Sequence, residues 1–127
     1  MTNYSLSIDI TPQQVCDQIV TAFEGGSNYW LGNADLAPES PRPVRMGKPW
    51  YATAALYEMV GWKIICTTDD EDGNQPYTLN RAAVTKTLAM LVANHQQMLH
   101  EIMSETGDAE TADVFLQLAL FGEIVYG

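Results

Sequence analysis

Arg42, Arg45 and Lys48 are three of only six basic residues in this chain, and Trp50 and Tyr51 follow them at once. Guanidinium groups form forked hydrogen bonds with phosphate, and an ammonium adds a point charge. Aromatic faces stack on nucleobases regardless of base identity. A second aromatic pair, Tyr29 and Trp30, follows the double glycine Gly25-Gly26. The candidate ligand-binding set is therefore Tyr29, Trp30, Arg42, Arg45, Lys48, Trp50 and Tyr51. The chemistry it offers is capture of a planar, phosphorylated small molecule. The same residues have a plain structural explanation. Surface cations pair with nearby carboxylates and add little stability, while aromatic pairs anchor cores.

The remaining reactive types are sparse. Cys16 and Cys66 stand singly, as buried small hydrophobes do in a reducing compartment. His95 falls inside an apolar helical stripe, and His100 lies on another face, so the two cannot chelate a metal from one helix surface. The acidic run 69–74 reads as a solvated turn, because it lacks the alternating ligands and distant glutamate of a calcium loop. No nucleophile elbow, phosphate loop, dinucleotide fingerprint or zinc-protease pattern is present. The residues thus offer no catalytic set, and neither metal nor cofactor is expected.

Charge narrows the partners. Sixteen acidic residues against six basic ones give a formal charge of -10. Such a chain has no general electrostatic attraction for DNA or anionic membrane. It suits either a soluble cytoplasmic protein or one that occupies a basic protein surface. No apolar run is long enough to span a membrane, and no signal peptide is visible.

The elements that must position these residues read as one domain, 1–127, of α+β class. Alternation over 6–10 suggests a short strand. Thr11, Pro12 and Gln14 form a helix start of capping-box type, and Gly25-Gly26 ends that helix in a left-handed conformation. Four prolines make 32–49 an extended loop. Periodicity leaves 50–60 undecided. Segments 62–68 and 75–79 read as a hairpin. Asn80 caps a long helix over 81–103. The last helix, 109–121, is apolar nearly all round and stops at Gly122. Glu110, Asp113 and Gln117 form its only polar line. Three helices would pack with a small antiparallel sheet built from the N-terminal strand, the Tyr29-Trp30 region and the hairpin. The apolar C-terminal helix would be central. Its off-face residues Val114, Leu118 and Phe121 imply a symmetric homo-oligomer.

Two segments carry a family likeness. Glu24-Gly25-Gly26-x-x-Tyr29-Trp30 is one. Asp113-Val114-x-Leu116-Gln117, continued by Phe121-Gly122-Glu123-x-Val125-Tyr126-Gly127, is the other. Together they resemble a family of small uncharacterised proteins of bacteriophages and prophages. The resemblance covers both ends of the chain but not the proline-rich loop. It implies an accessory protein in the host bacterial cytoplasm, of a kind that antagonises host defence, and it brings no catalytic residues.

Three functions follow as expectations. The first is a binding protein that sequesters a nucleotide-derived immune signal without catalysis. The second is an acidic inhibitor that occupies a nucleic-acid-binding host complex. The third is an enzyme that degrades a signal or modifies a host protein, for which no motif speaks. The loop cations beside aromatics place the first ahead.

Overall fold

Thr11 accepts a hydrogen bond from the Gln14 amide at 3.1 Å, and the Gln14 side chain accepts one from the Thr11 amide at 2.9 Å. This reciprocal cap starts α1, Pro12–Thr21. The computed structural model describes residues 2–4, 7–70 and 75–127 of the chain. Helix α1 runs on into a π-helical turn, Ala22–Gly26. Neither Gly25 nor Gly26 has positive φ, so the expected left-handed stop is not the reason for the glycines. A Cβ on Gly26 would lie 2.5 Å from the carbonyl oxygen of Ala109. The glycine is there for close backbone approach.

Strand β1 spans Leu31–Leu36, β2 Lys63–Thr68 and β3 Pro76–Asn80. They form one antiparallel sheet in the order β1-β2-β3. The expected hairpin is the β2–β3 pair, in register from Lys63↔Asn80 to Thr67↔Pro76. The acidic turn between them falls mostly outside the described residues. The third strand differs from expectation. Residues 7–10 are irregular, with Ser7, Ile8 and Asp9 exposed, and Leu6 lies outside the described residues. The other edge of β2 is taken by β1, which starts directly after the Tyr29-Trp30 region expected in the sheet and uses the first part of the expected 32–49 loop. The register shifts between Leu31 and Asn33, and a Cβ on Gly32 would meet the Thr68 carbonyl oxygen at 3.0 Å. This bulge breaks the period-2 pattern that betrays a strand. The undecided segment 50–60 forms two 3-10 turns, Trp50–Ala52 and Ala54–Glu58.

The expected long helix is two helices, α2 over Arg81–Asn94 and α3 over Gln96–Ser104. Asn80 caps α2 as expected, accepting from the Ala83 amide at 2.9 Å. The break is at His95, whose φ of -139° and ψ of 52° leave the helical region. It redirects the chain so that α3 packs on α1 and α4, while α2 packs on α4 and β3. Val84, Thr87 and Leu91 are buried on α2, and Leu99 and Ile102 on α3.

Helix α4, Ala109–Phe121, is the hub. Asp108 caps it, and Gly122 ends it with φ of 75°. Every residue from Thr111 to Leu118 is buried, against α1, the π-turn, α2, α3 and β3. The chain itself therefore covers Val114 and Leu118, and these faces need no second subunit. The polar line also differs from a solvent stripe. Glu110 is exposed, but Asp113 and Gln117 point inward and are buried. The architecture is α+β, with four helices among the described residues where three were expected. No helix among the described residues is long and apolar enough to cross a membrane.

Candidate functional site

The seven candidate residues separate into two places. Tyr29 and Trp30 leave the π-turn and face α4. The Trp30 indole donates to Asp113 Oδ1 at 2.7 Å, and the Ser27 hydroxyl donates to the same oxygen at 2.9 Å. The Tyr29 hydroxyl donates to Asp113 Oδ2 at 2.5 Å, and Gln117 Nε2 donates there at 3.1 Å. Four donors thus converge on one buried carboxyl group. Gln117 extends the network. Its Oε1 accepts the Val125 and Tyr126 amides, each at 2.8 Å, and its Nε2 also reaches the Tyr126 carbonyl at 3.2 Å. The Tyr126 ring lies parallel to Trp30 with centroids 5.4 Å apart, and Phe121 packs on both. Trp30 is only 2% exposed and is closed over by these rings. Tyr29 is 58% exposed, yet its hydroxyl is tied inward. Burial of that hydroxyl, reinforced by the bond to Asp113, pushes its pKa up to about 12.

Trp50 and Tyr51 stand elsewhere, beside Phe23 of the π-turn. The three rings meet edge to face: Phe23 is 5.5 Å from Tyr51 and 6.5 Å from Trp50, and the latter two are 5.4 Å apart. The Tyr51 hydroxyl donates to Glu24 at 2.9 Å, which raises its pKa. These rings form one wall of an open cleft of about 250 Å³, whose other wall includes Asn28, Leu31 and Asn33. Asn28 and Leu31 flank Tyr29 and Trp30 in sequence, so the cleft adjoins the pair without including it.

Arg42, Arg45 and Lys48 are exposed on the loop that leads into Trp50. Arg45 Nε donates to the Lys48 carbonyl at 3.0 Å, and the Lys48 amide donates back to the Arg45 carbonyl at 3.0 Å. Met46 and Gly47, with φ of 50° and 86°, make the tight turn between them. Among the described residues the ion pair is Lys63 with Glu39, at 2.8 Å, and none of the three loop cations has a carboxylate partner. Lys48 also borders a larger cavity of about 490 Å³ on the other side of the Trp50–Ala52 turn, between α1 and the end of α3. Asp17, Gln18 and Glu105 line that cavity.

Sequence reasoning missed Phe23, Asn28 and Asn33 in the cleft, and Asp17, Gln18 and Glu105 around the cavity. Only folding brings these positions together. The network of Asp113 and Gln117 joins residues 27–30 to residues 125–126.

The cysteines offer no nucleophile at neutral pH. Burial pushes the Cys16 thiol up to about 11, with Asp17 adding to the rise, and burial pushes Cys66 up to about 12. Among the described residues no three His, Cys, Asp or Glu side chains cluster as a metal site. His95 is half-buried at the break between α2 and α3, and His100 is exposed. Compared with protein families, curated proteins and solved structures, the chain matches none.

Proposed function

We propose that this chain is a ligand-binding phage accessory protein that sequesters a nucleotide-derived immune signal in the bacterial cytoplasm, without transforming it. One observation carries the reading. In a protein of charge -10, three cations stand without carboxylate partners among the described residues, on a loop that runs directly into the Phe23, Trp50 and Tyr51 rings. Among the described residues Arg81 and Lys86 also lack a carboxylate partner, so what sets the loop cations apart is that three stand together and lead into the rings. Such cations suit phosphate, while the rings suit a base. Asn28 and Asn33 supply donors and acceptors for the edge of that base.

The test is native mass spectrometry with cyclic and linear adenine and guanine nucleotides. A bound mass, with the intact nucleotide recovered after heat denaturation, supports sequestration. Arg45→Ala should weaken binding roughly tenfold with an unchanged melting curve, and Arg45→Lys should restore only part, because a fork becomes a point charge. Absence of any bound nucleotide, with co-purification of a host nucleic-acid-binding complex, would instead favour the acidic inhibitor.

A further inference from the structure

Trp62, just before β2, is 3% exposed, yet its indole N–H meets no hydrogen-bond acceptor among the described residues. The Trp30 indole, equally buried, donates to Asp113 at 2.7 Å. The Trp62 nitrogen is also not sealed in, because among the described residues the one side-chain polar atom both enclosed and unpaired is Gln18 Oε1. Its N–H therefore reaches open space. Trp62 borders two openings, and Arg81 lines both. The more enclosed of them is a cavity of about 140 Å³ between α1, the Ala54–Glu58 turn and the first turns of α2. Ile10, Val15, Val84 and Leu88 make its walls with Tyr57 and Trp62. The polar groups at its edge are donors. Arg81 gives one N–H to the Tyr57 carbonyl at 3.1 Å, which holds the guanidinium in place and leaves its other N–H groups free. Thr85 adds a hydroxyl. Among the described residues no carboxylate lines the cavity, none stands in the first turn of α2, and none pairs with Arg81.

An unopposed guanidinium, an unused indole N–H and apolar walls suit an anion with an apolar body. An apolar cavity of about 150 Å³ holds one benzene ring, so the room here is for a single ring or a short branched chain. We infer that this cavity binds a small apolar carboxylate, with its hydrocarbon part against Val84 and Leu88 and its charged end at Arg81 and the Trp62 N–H. A carboxylate only accepts hydrogen bonds, and its two oxygens match the guanidinium fork. A cation would be repelled by Arg81, and a nucleotide exceeds the space. This inference stands apart from the nucleotide reading, since the cavity shares no lining residue with the ring-walled cleft.

Benzoate is the probe, with benzamide as its neutral isostere and acetate as the same charge without the ring. The readout is the set of assigned indole N–H signals in a nitrogen–proton correlation spectrum at physiological ionic strength. The expected result is a saturable shift of the Trp62 signal with benzoate, while the Trp30 signal, tied to Asp113, stays in place. Benzamide and acetate should each bind roughly tenfold or more weakly than benzoate. Arg81→Gln should lower the benzoate affinity to that of benzamide, and Arg81→Lys should restore only part. Lys86→Gln, on the same helix but outside the cavity lining, should change nothing. Should Arg81→Gln fail to fold, the preference of the parent for benzoate over both controls decides alone. Equal affinity for benzoate and either control, equal benzoate affinity in the parent and Arg81→Gln, or no saturable Trp62 shift at millimolar benzoate would each overturn the site.

Discussion

Two buried glutamines in this chain have opposite surroundings. Gln117, 1% exposed on α4, satisfies both ends of its amide, with the Val125 and Tyr126 amides on one side and Asp113 and the Tyr126 carbonyl on the other. Gln18, 7% exposed on α1, leaves its oxygen without a partner. Burial alone does not distinguish them. The first has a chain segment folded back over it, so its hydrogen bonds hold the C-terminal residues against Trp30. The second has its oxygen enclosed with no donor against it. An amide of the first kind serves the fold, and one of the second kind weakens it.

The sharpest way to break this contrast is to remove the centre of the satisfied network. Asp113→Ala strips the acceptor from the Ser27, Tyr29, Trp30 and Gln117 donors together, three of them on the far side of the chain. A loss of about 4 kcal/mol in urea unfolding is expected, since each orphaned buried donor carries a desolvation cost. Asp113→Asn should cost somewhat less, as one oxygen survives while the new N–H₂ faces existing donors. A loss under about 1 kcal/mol would mean that water replaces the carboxylate and that the network does not brace the fold.

The two glutamines can then be compared directly. Gln117→Leu should cost about 3 kcal/mol, because two backbone amides lose their acceptor and one Asp113 oxygen loses one of its two donors. Gln18→Met should lie within about 0.5 kcal/mol of the parent or above it, because it removes an acceptor that was never paired. Equal losses would show that Gln18 has a partner in solution, and the comparison would fail.

How far all this was legible in the sequence depended on the range of the interactions. Caps are local: Thr11 with Gln14, Asn80 with Ala83 and the stop at Gly122 are visible in a few consecutive residues, and each is present. The hairpin was legible for the same reason. Strand β1 was legible only at its start, beside the Tyr29-Trp30 region expected in the sheet, because its bulge at Gly32 disrupts the alternation further on. The break at His95 was hidden because helical spacing continues across it in sequence while the axis turns in space. The polar line of α4 misled most. Asp113 and Gln117 at a step of four look like a solvent stripe, and the donors that turn Asp113 inward lie 83 to 86 positions away. Of the candidate site, the aromatic corner and the free cations were readable from residue types. The cleft beside the rings and the cavity between α1 and the end of α3 exist only after the chain has closed.

The double glycine offers a smaller test of the same closure. Gly26→Ala would drive a Cβ to 2.5 Å from the Ala109 carbonyl oxygen, whereas a Cβ on Gly25 meets nothing within 4 Å. Gly26→Ala should therefore cost about 2 kcal/mol by forcing the π-turn away from α4, and so loosen the hold on Asp113. Gly25→Ala should be near neutral. If both are neutral, the close approach does not fix how the π-turn meets α4.

The smallest effect concerns Tyr29, and it separates the network by pH. Its ring is exposed, so Tyr29→Phe removes little packing and one hydrogen bond, at about 1 kcal/mol near neutral pH. The titration has a definite sign. In the folded chain the hydroxyl holds its proton to about pH 12, against an ordinary value of 10.0, because burial and Asp113 both oppose the phenolate. A group whose folded pKa is raised contributes its stability in full below the unfolded value and loses it as pH rises through the folded one. The contribution of Tyr29 should therefore be constant up to about pH 10 and disappear between about 10 and 12. Tyr57 and Tyr126 are raised as well, so the parent alone will fall over this range for several reasons. The difference between the parent and Tyr29→Phe isolates the one hydroxyl. Measured by urea unfolding from pH 8 to 12, that difference should shrink toward zero above pH 10. A gap that stays flat to pH 12 would mean that the phenol and the Asp113 carboxylate are not in contact, and that the Asp113 centre rests on Ser27, Trp30 and Gln117 alone.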